Sequence, residues 1–177
     1  MDNCELNRTS VEEFRSRKKN RLILVLDNIR SQHNIGATFR TADAFAIEKV
    51  VLCGICATPP SAEIRKAALG AEESVEWIYY ENSCDAVAAL KSEGYRIWSV
   101  EQTENSTSLE NFTPDRGEKY ALVFGNEVKG VLQEVIEMGE GTIEIPQYGT
   151  KHSLNVSVSV GVVVWDIVKK MRGVNND

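Results

Sequence analysis

The sequence predicts an α/β domain: a mostly parallel open sheet covered by helices on both faces. Three observations carry this reading. The runs at 21–29 (RLILVLDNI) and 119–124 (KYALVF) are too continuously apolar for strands with one wet face, so they read as strands of a covered sheet. Between the first run and a second strand at 48–53, Ile35, Phe39, Ala42 and Phe45 or Ala46 recur at helical spacing, which makes a βαβ unit. Strand and helix signals then keep alternating, the pattern of a parallel sheet with helices on its two sides.

Taken in order, Ser10 with Glu13 three residues later is a capping-box signature, so a short helix runs to about residue 18. The first strand follows at 21–29, then the polar SQHN loop and a helix starting near Asn34. After the strand at 48–53, a helix at 61–69 is closed by Gly70. Residues 74–80 alternate and carry aromatics, which makes a strand. A helix at 83–93 is capped by Ser83 and stopped by Gly94, and a strand covers 95–100. Residues 101–116 form a long polar loop. A strand at 119–124, a short helix at 131–138 and a last strand at 142–145 complete the sheet. Residues 156–160 alternate like a strand. The cap candidates Ser153 and Asn155, and the basic residues before Gly173, decide for a buried C-terminal helix. The domain then spans 21–173, with a basic N-terminal extension at 1–20 and a tail at 174–177.

Composition bounds the function. At 177 residues one domain is expected, large enough to fold without staples. A net charge of −6 argues against a uniformly basic nucleic-acid binder, although Arg15, Arg17, Lys18, Lys19 and Arg21 form a local basic cluster suited to partner contact. The N-terminus lacks a signal-peptide core and no apolar run reaches a membrane span, so a cytoplasmic location is expected. Cys53 and Cys56 form a CxxC, but Cys4 and Cys84 are isolated and there are only two histidines. With no second ligand pair, and with the motif at a strand end rather than opening a helix, these read as small strand-end residues in a reducing compartment; no metal is expected.

Three stretches look functional because each follows a strand, and in open α/β sheets ligands bind beyond the carboxyl ends of strands. They are NIGATFR (34–40), VFGNEVKG (123–130) and TIEIPQYGTKHSLNVSVSV (142–160). The sequence has no dinucleotide fingerprint and no phosphate loop: Val131-Leu132 stands where the phosphate loop requires Lys-Ser or Lys-Thr. No GxSxG elbow supports a hydrolase. Arg40 sits on a helix of small and apolar side chains, and arginine grips phosphate or carboxylate with two parallel hydrogen bonds. Asn34 orients a partner or caps the turn, and Gly36 lets another backbone come close. Glu127 lies in the turn after a buried strand, placed to hold Arg40 or Asn34 or to accept from a ligand. Ser153 and Asn155 stand at the mouth of the last apolar segment.

In order and spacing these three stretches resemble the three motifs of the SpoU/TrmH family of RNA ribose 2′-O-methyltransferases, of the SPOUT class, over about residues 21–170. Val128 replaces a common glycine, and residues 159–162 replace an alanine-rich run. The resemblance implies a C-terminal deep trefoil knot and S-adenosylmethionine as cofactor. By motif position the cofactor contacts fall at Val100, Gly125, Ile145 and Leu154, with Ser153 and Asn155 adjacent. It implies a homodimer through the knot region, an RNA substrate (tRNA or rRNA), and Arg40, Asn34, Glu127, Ser153 and Asn155 as the catalytic and RNA-contacting set. It also makes Arg40 the proposed base, which is chemically awkward because guanidinium does not deprotonate in proteins. Electrostatic stabilisation of the developing alkoxide is the other role open to it. Two neighbouring activities share the resemblance: a non-catalytic RNA-binding or assembly factor, and a methyltransferase acting on a base nitrogen.

Overall fold

The computed structural model describes residues 10–151 and 153–173. The outer parts of the expected extension and tail, 1–9 and 174–177, lie outside these, as does Cys4. Seven strands form one sheet: β1 (Asn20–Asp27), β2 (Ile47–Cys53), β3 (Glu76–Tyr80), β4 (Tyr95–Val100), β5 (Thr107–Ser108), β6 (Lys119–Phe124) and β7 (Gly141–Glu144). Their spatial order is β3-β2-β1-β6-β4-β7-β5, and each named pair is parallel.

The unbroken apolar runs are explained by the pleat. Leu22, Leu24 and Leu26 of β1 face one layer, while Ile23 and Val25 face the other, and all are buried. The first layer packs α1 (Val11–Ser16), α2 (Gln32–Ala44), α3 (Ala62–Ala68), α4 (Ala71–Ser74) and α7 (Val156–Arg172) around Phe39, Ile64, Val160 and Val164. The second packs α5 (Ser83–Ser92) and α6 (Gln133–Met138) through Val87, Leu90 and Val135. Alternation along a strand thus feeds two cores, as expected of a sheet covered on both faces.

Several boundaries differ from the sequence reading, each for a local reason. The N-terminal helix stops at Ser16, where Arg17 turns to extended backbone. Asn82, not Ser83, caps α5; the Ser83 hydroxyl instead donates to the buried Asp27 carboxylate. Ser74, read as the first residue of the strand, instead closes a short helix, Ala71–Ser74, and β3 begins at Glu76. The long polar loop contributes a two-residue strand, β5, paired to β7. The C-terminal segment is a helix, its N-cap Asn155 accepting from the Ser157 amide at 2.9 Å. Period-two alternation in VSVSV was thus overridden by a cap and by burial of one helical stripe. Among the described residues, no helix is long and apolar enough to cross a membrane.

Candidate active site

Because the strands are parallel, their carboxyl ends share one edge of the sheet. There β4, β6 and β7 end beside the start of α7, and a cleft of about 550 Å³ opens between them. Val100 closes β4, opposite Phe124 of β6 and Ile143 of β7. Gly125, Ile145, Ser153, Leu154 and Asn155, the rest of the predicted cofactor contacts, line this cleft together with Glu127. Two of the three stretches, with Val100, therefore converge as the strand-end argument requires.

The turn after β6 is held tightly. Asn126 and Gly130 exchange backbone hydrogen bonds of 3.0 and 2.8 Å. The Asn126 side chain accepts from the Val128 and Lys129 amides and donates to the Asn28 carbonyl at 2.7 Å, tying the turn to the end of β1. Gly125 lies so close to the returning chain that a Cβ there would stand 2.1 Å from Gly130 C and Val131 N. Glu101, just past β4, accepts from the Val131 amide at 3.1 Å and braces the same turn from the other side. Asp27 is fully buried at the end of β1. It accepts from the Asn28 side-chain amide, the Ser83 hydroxyl and, at 2.9 Å, the Leu132 amide, joining β1 to the starts of α5 and α6.

The first stretch divides. Asn34, buried near the start of α2, donates from Nδ2 to Glu127 Oε1 at 3.0 Å. This sets Glu127 at the cleft; its partner is Asn34, not Arg40. Gly36 faces α3, where a Cβ would meet the Ile64 carbonyl at 2.5 Å, so its role is close helix packing. Arg40 lies six residues beyond Asn34, about 9 Å further along an axis that leads away from the cleft. It is exposed and lines a separate hollow with His33, Ala37, Thr41 and Phe45. Within one chain, then, Arg40 does not reach the cleft holding the other predicted residues.

The basic cluster stands at the amino end of β1, across the sheet from the cleft. Arg15 donates to the Glu73 carbonyl, Lys19 to the Phe14 carbonyl and Arg21 to the Gly117 carbonyl. Burial, and then the neighbouring Arg17, pull the Lys19 pKa down. Cys53 and Cys56 are buried and free. The Cys56 thiol accepts from the Ile29 amide and donates to the Leu26 carbonyl, a packing role. Burial pushes the Cys53 thiol up to about 12, far from a reactive thiolate. Among the described residues no group of His, Cys, Asp or Glu is placed to hold a metal ion.

Glu101 and Gln102, outside the three stretches, also line the cleft, as do Asn126, Glu144 and Gln147, which lie within the stretches but were not singled out. Glu101 and Gln102 follow β4 directly, so the strand-end rule that selected the three stretches reaches them too. Asp27 gave no signal beyond a carboxylate closing an apolar strand.

Residues 21–165 match the model of the SpoU rRNA methylase family. A relative from Haemophilus influenzae, named 23S rRNA (guanosine-2′-O-)-methyltransferase RlmB, is 34% identical over 96% of this chain and 68% of its own length. A tRNA/rRNA methyltransferase from Borreliella burgdorferi, itself uncharacterised, is 31% identical over 92% of this chain and 69% of its own. The chain thus spans about two thirds of these curated relatives. The crystal structure of the A. aeolicus TrmH/SpoU tRNA modifying enzyme superposes with a TM-score of 0.80 at 25% identity, covering 92% of this chain and 82% of that one. With the three motifs, the parallel sheet and the strand-end cleft already in place, the chain belongs to the SpoU rRNA methylase family.

Proposed function

We propose that this chain is an S-adenosylmethionine-dependent enzyme that methylates a ribose 2′-hydroxyl of tRNA or rRNA, working as a cytoplasmic homodimer. In this reading 21–173 is the methyltransferase domain, 1–20 a basic extension and 174–177 a tail. The single observation that carries it is the cleft. The family-matched residues from three strand ends meet there, and Glu127 is oriented by Asn34. The cleft fits the cofactor on its own chemistry. Its volume falls in the range of ligand pockets. The Gly125 turn lets backbone come close to a ligand, and Glu101 and Glu127 suit a ligand bearing ammonium and sulfonium charge. When bound, S-adenosylmethionine supplies an electrophilic methyl on a positive sulfur. The chain's own residues then bind and orient. Glu127 Oε2 remains to accept from a ribose hydroxyl or an ammonium, and holding the reacting groups together is worth several kcal/mol. Ser153, Leu154 and Asn155 close the mouth beside the start of α7. The family's trefoil knot is proposed for the stretch from β6 to α7.

Arg40 needs a second copy to act. Leu154, Val158, Val162 and Trp165 recur on one face of the C-terminal segment and are 41, 50, 39 and 59% exposed. This apolar stripe starts at the cleft mouth. It ends where the Trp165 ring meets Phe45, a wall of the Arg40 hollow, at 5.9 Å between centroids. Two copies of α7 packed antiparallel about a two-fold axis cover both stripes. Each copy then brings its Arg40 hollow to the partner's cleft. There the guanidinium binds an RNA phosphate and stabilises the developing alkoxide.

The test is transfer of labelled methyl from S-adenosylmethionine into unmodified total RNA, followed by digestion to nucleosides. Label on a ribose with wild type, and none with Arg40→Ala, is the expected result. Label on a base nitrogen, or no transfer together with no cofactor binding, overturns the reading.

A further inference from the structure

We propose that a second hollow beside the cleft seats one nucleobase of the RNA substrate, stacked on Tyr148. The proposal rests on the methyltransferase reading above and extends it to how the substrate is gripped. The hollow measures about 270 Å³ and shares Gln102, Glu144, Ile145 and Gln147 with the cleft, so the two are continuous. Its outer wall is Tyr148, 90% exposed. A phenol ring left this open makes almost no packing contribution to the fold, yet it offers a flat face at the edge of the candidate site. Bases stack on such faces whatever their identity. The other walls supply polar groups. Gln102 and Gln147 each donate and accept. Glu144 accepts from the Ser106 hydroxyl through Oε2 at 2.8 Å, which leaves Oε1 to accept an N–H from a base. Lys151, exposed at the rim, is placed for the adjoining phosphate. Stacking, edge recognition and a phosphate contact thus surround one concavity next to the proposed methyl donor. A base held here is splayed away from its neighbours and leaves its ribose at the cleft mouth.

The test uses the intact protein with fluorescently labelled single-stranded oligoribonucleotides of mixed sequence, read by anisotropy. Cofactor affinity is read separately by calorimetry with S-adenosylmethionine. Tyr148→Ala is expected to weaken RNA binding by about 5- to 150-fold, the range for losing one base–aromatic stack. Tyr148→Phe keeps the ring and is expected to bind within about twofold of wild type. Both variants keep wild-type cofactor affinity. Unchanged RNA affinity in Tyr148→Ala overturns the proposal, as does no measurable RNA binding by wild type. A parallel loss of cofactor affinity also overturns it and makes the hollow part of the cofactor site. Absence of methyl transfer by wild type, with Tyr148-dependent RNA binding intact, refutes the methyltransferase reading and not the base site.

Discussion

Gly125→Ala tests how the cleft is built. A methyl group at this position would stand 2.1 Å from Gly130 C and Val131 N, where ordinary contacts begin at 3.4 Å. Both atoms are backbone, so no side chain can swing away. The returning strand of the turn must retreat by more than about 1 Å, beyond the tolerance of hydrogen-bond geometry. The two Asn126–Gly130 bonds and the Val131 amide to Glu101 bond all lie in its path. Each such bond contributes about 0.5–1.5 kcal/mol net, so their joint weakening destabilises the protein by roughly 2–4 kcal/mol. For a domain of this size that lowers Tm by about 4–16 °C. Cofactor affinity falls as well, because Gly125 lines the cleft. Gly149→Ala is the control: no atom lies within 4 Å of its added Cβ, so it should match wild type. Differential scanning fluorimetry and calorimetry with S-adenosylmethionine read both quantities. A Gly125→Ala protein with wild-type Tm and wild-type cofactor affinity would refute the close-approach argument.

Four further outcomes are expected. Asn34→Ala removes the donor that orients Glu127; a hydrogen bond to a charged group is worth about 1.5–3 kcal/mol, so methyl transfer should drop about 10- to 150-fold while the far-ultraviolet spectrum is unchanged. Val158→Arg buries a charge in the α7 stripe and should give a monomer by light scattering, inactive although still binding cofactor. RNA affinity should fall steeply with salt, because each phosphate contact releases counterions; a flat dependence contradicts a basic RNA-binding surface. Finally, the Cys53 thiol goes from 9.0 to about 12 on burial, so the folded state holds its proton where the unfolded chain has lost it. Its stabilising effect is complete below pH 9 and is lost as pH rises through about 12; urea midpoints between pH 8 and 11 should fall, and fall less in Cys53→Ala.

Much of this fold could be read from the residues because strand burial and helix spacing are local signals. Leu22 to Leu26 announce a two-sided strand, and Ile35, Phe39 and Ala42 announce the helix that covers it. The strand-end rule then placed Gly125, Glu127 and Leu154 in one cleft without any measured distance. What escaped were pairings decided across the fold. The Asp27 carboxylate meets the Leu132 amide 105 residues away, and Glu101 meets the Val131 amide thirty residues on. Neither contact leaves a periodicity. The strand order, with β6 between β1 and β4, is likewise set by packing between layers and not by chain order. The position of Arg40 shows a further limit. Its motif spacing groups it with Asn34, but a helix advances about 1.5 Å per residue, so six residues carry it out of the site. The proposal that it serves a partner's cleft rests on the exposed α7 stripe and not on its place in the motif.

The measurement that bears most directly on the account is subunit complementation. Arg40→Ala and Glu127→Ala chains, carrying different tags, are co-expressed and the mixed dimer is purified through both tags. If Arg40 serves the partner's cleft, one of the two sites holds an intact Glu127 and an intact Arg40. The mixed dimer should then transfer methyl at about half the wild-type rate, while each variant alone is inactive. If Arg40 serves its own cleft, both sites of the mixed dimer are broken, and an inactive mixed dimer would contradict the composite site.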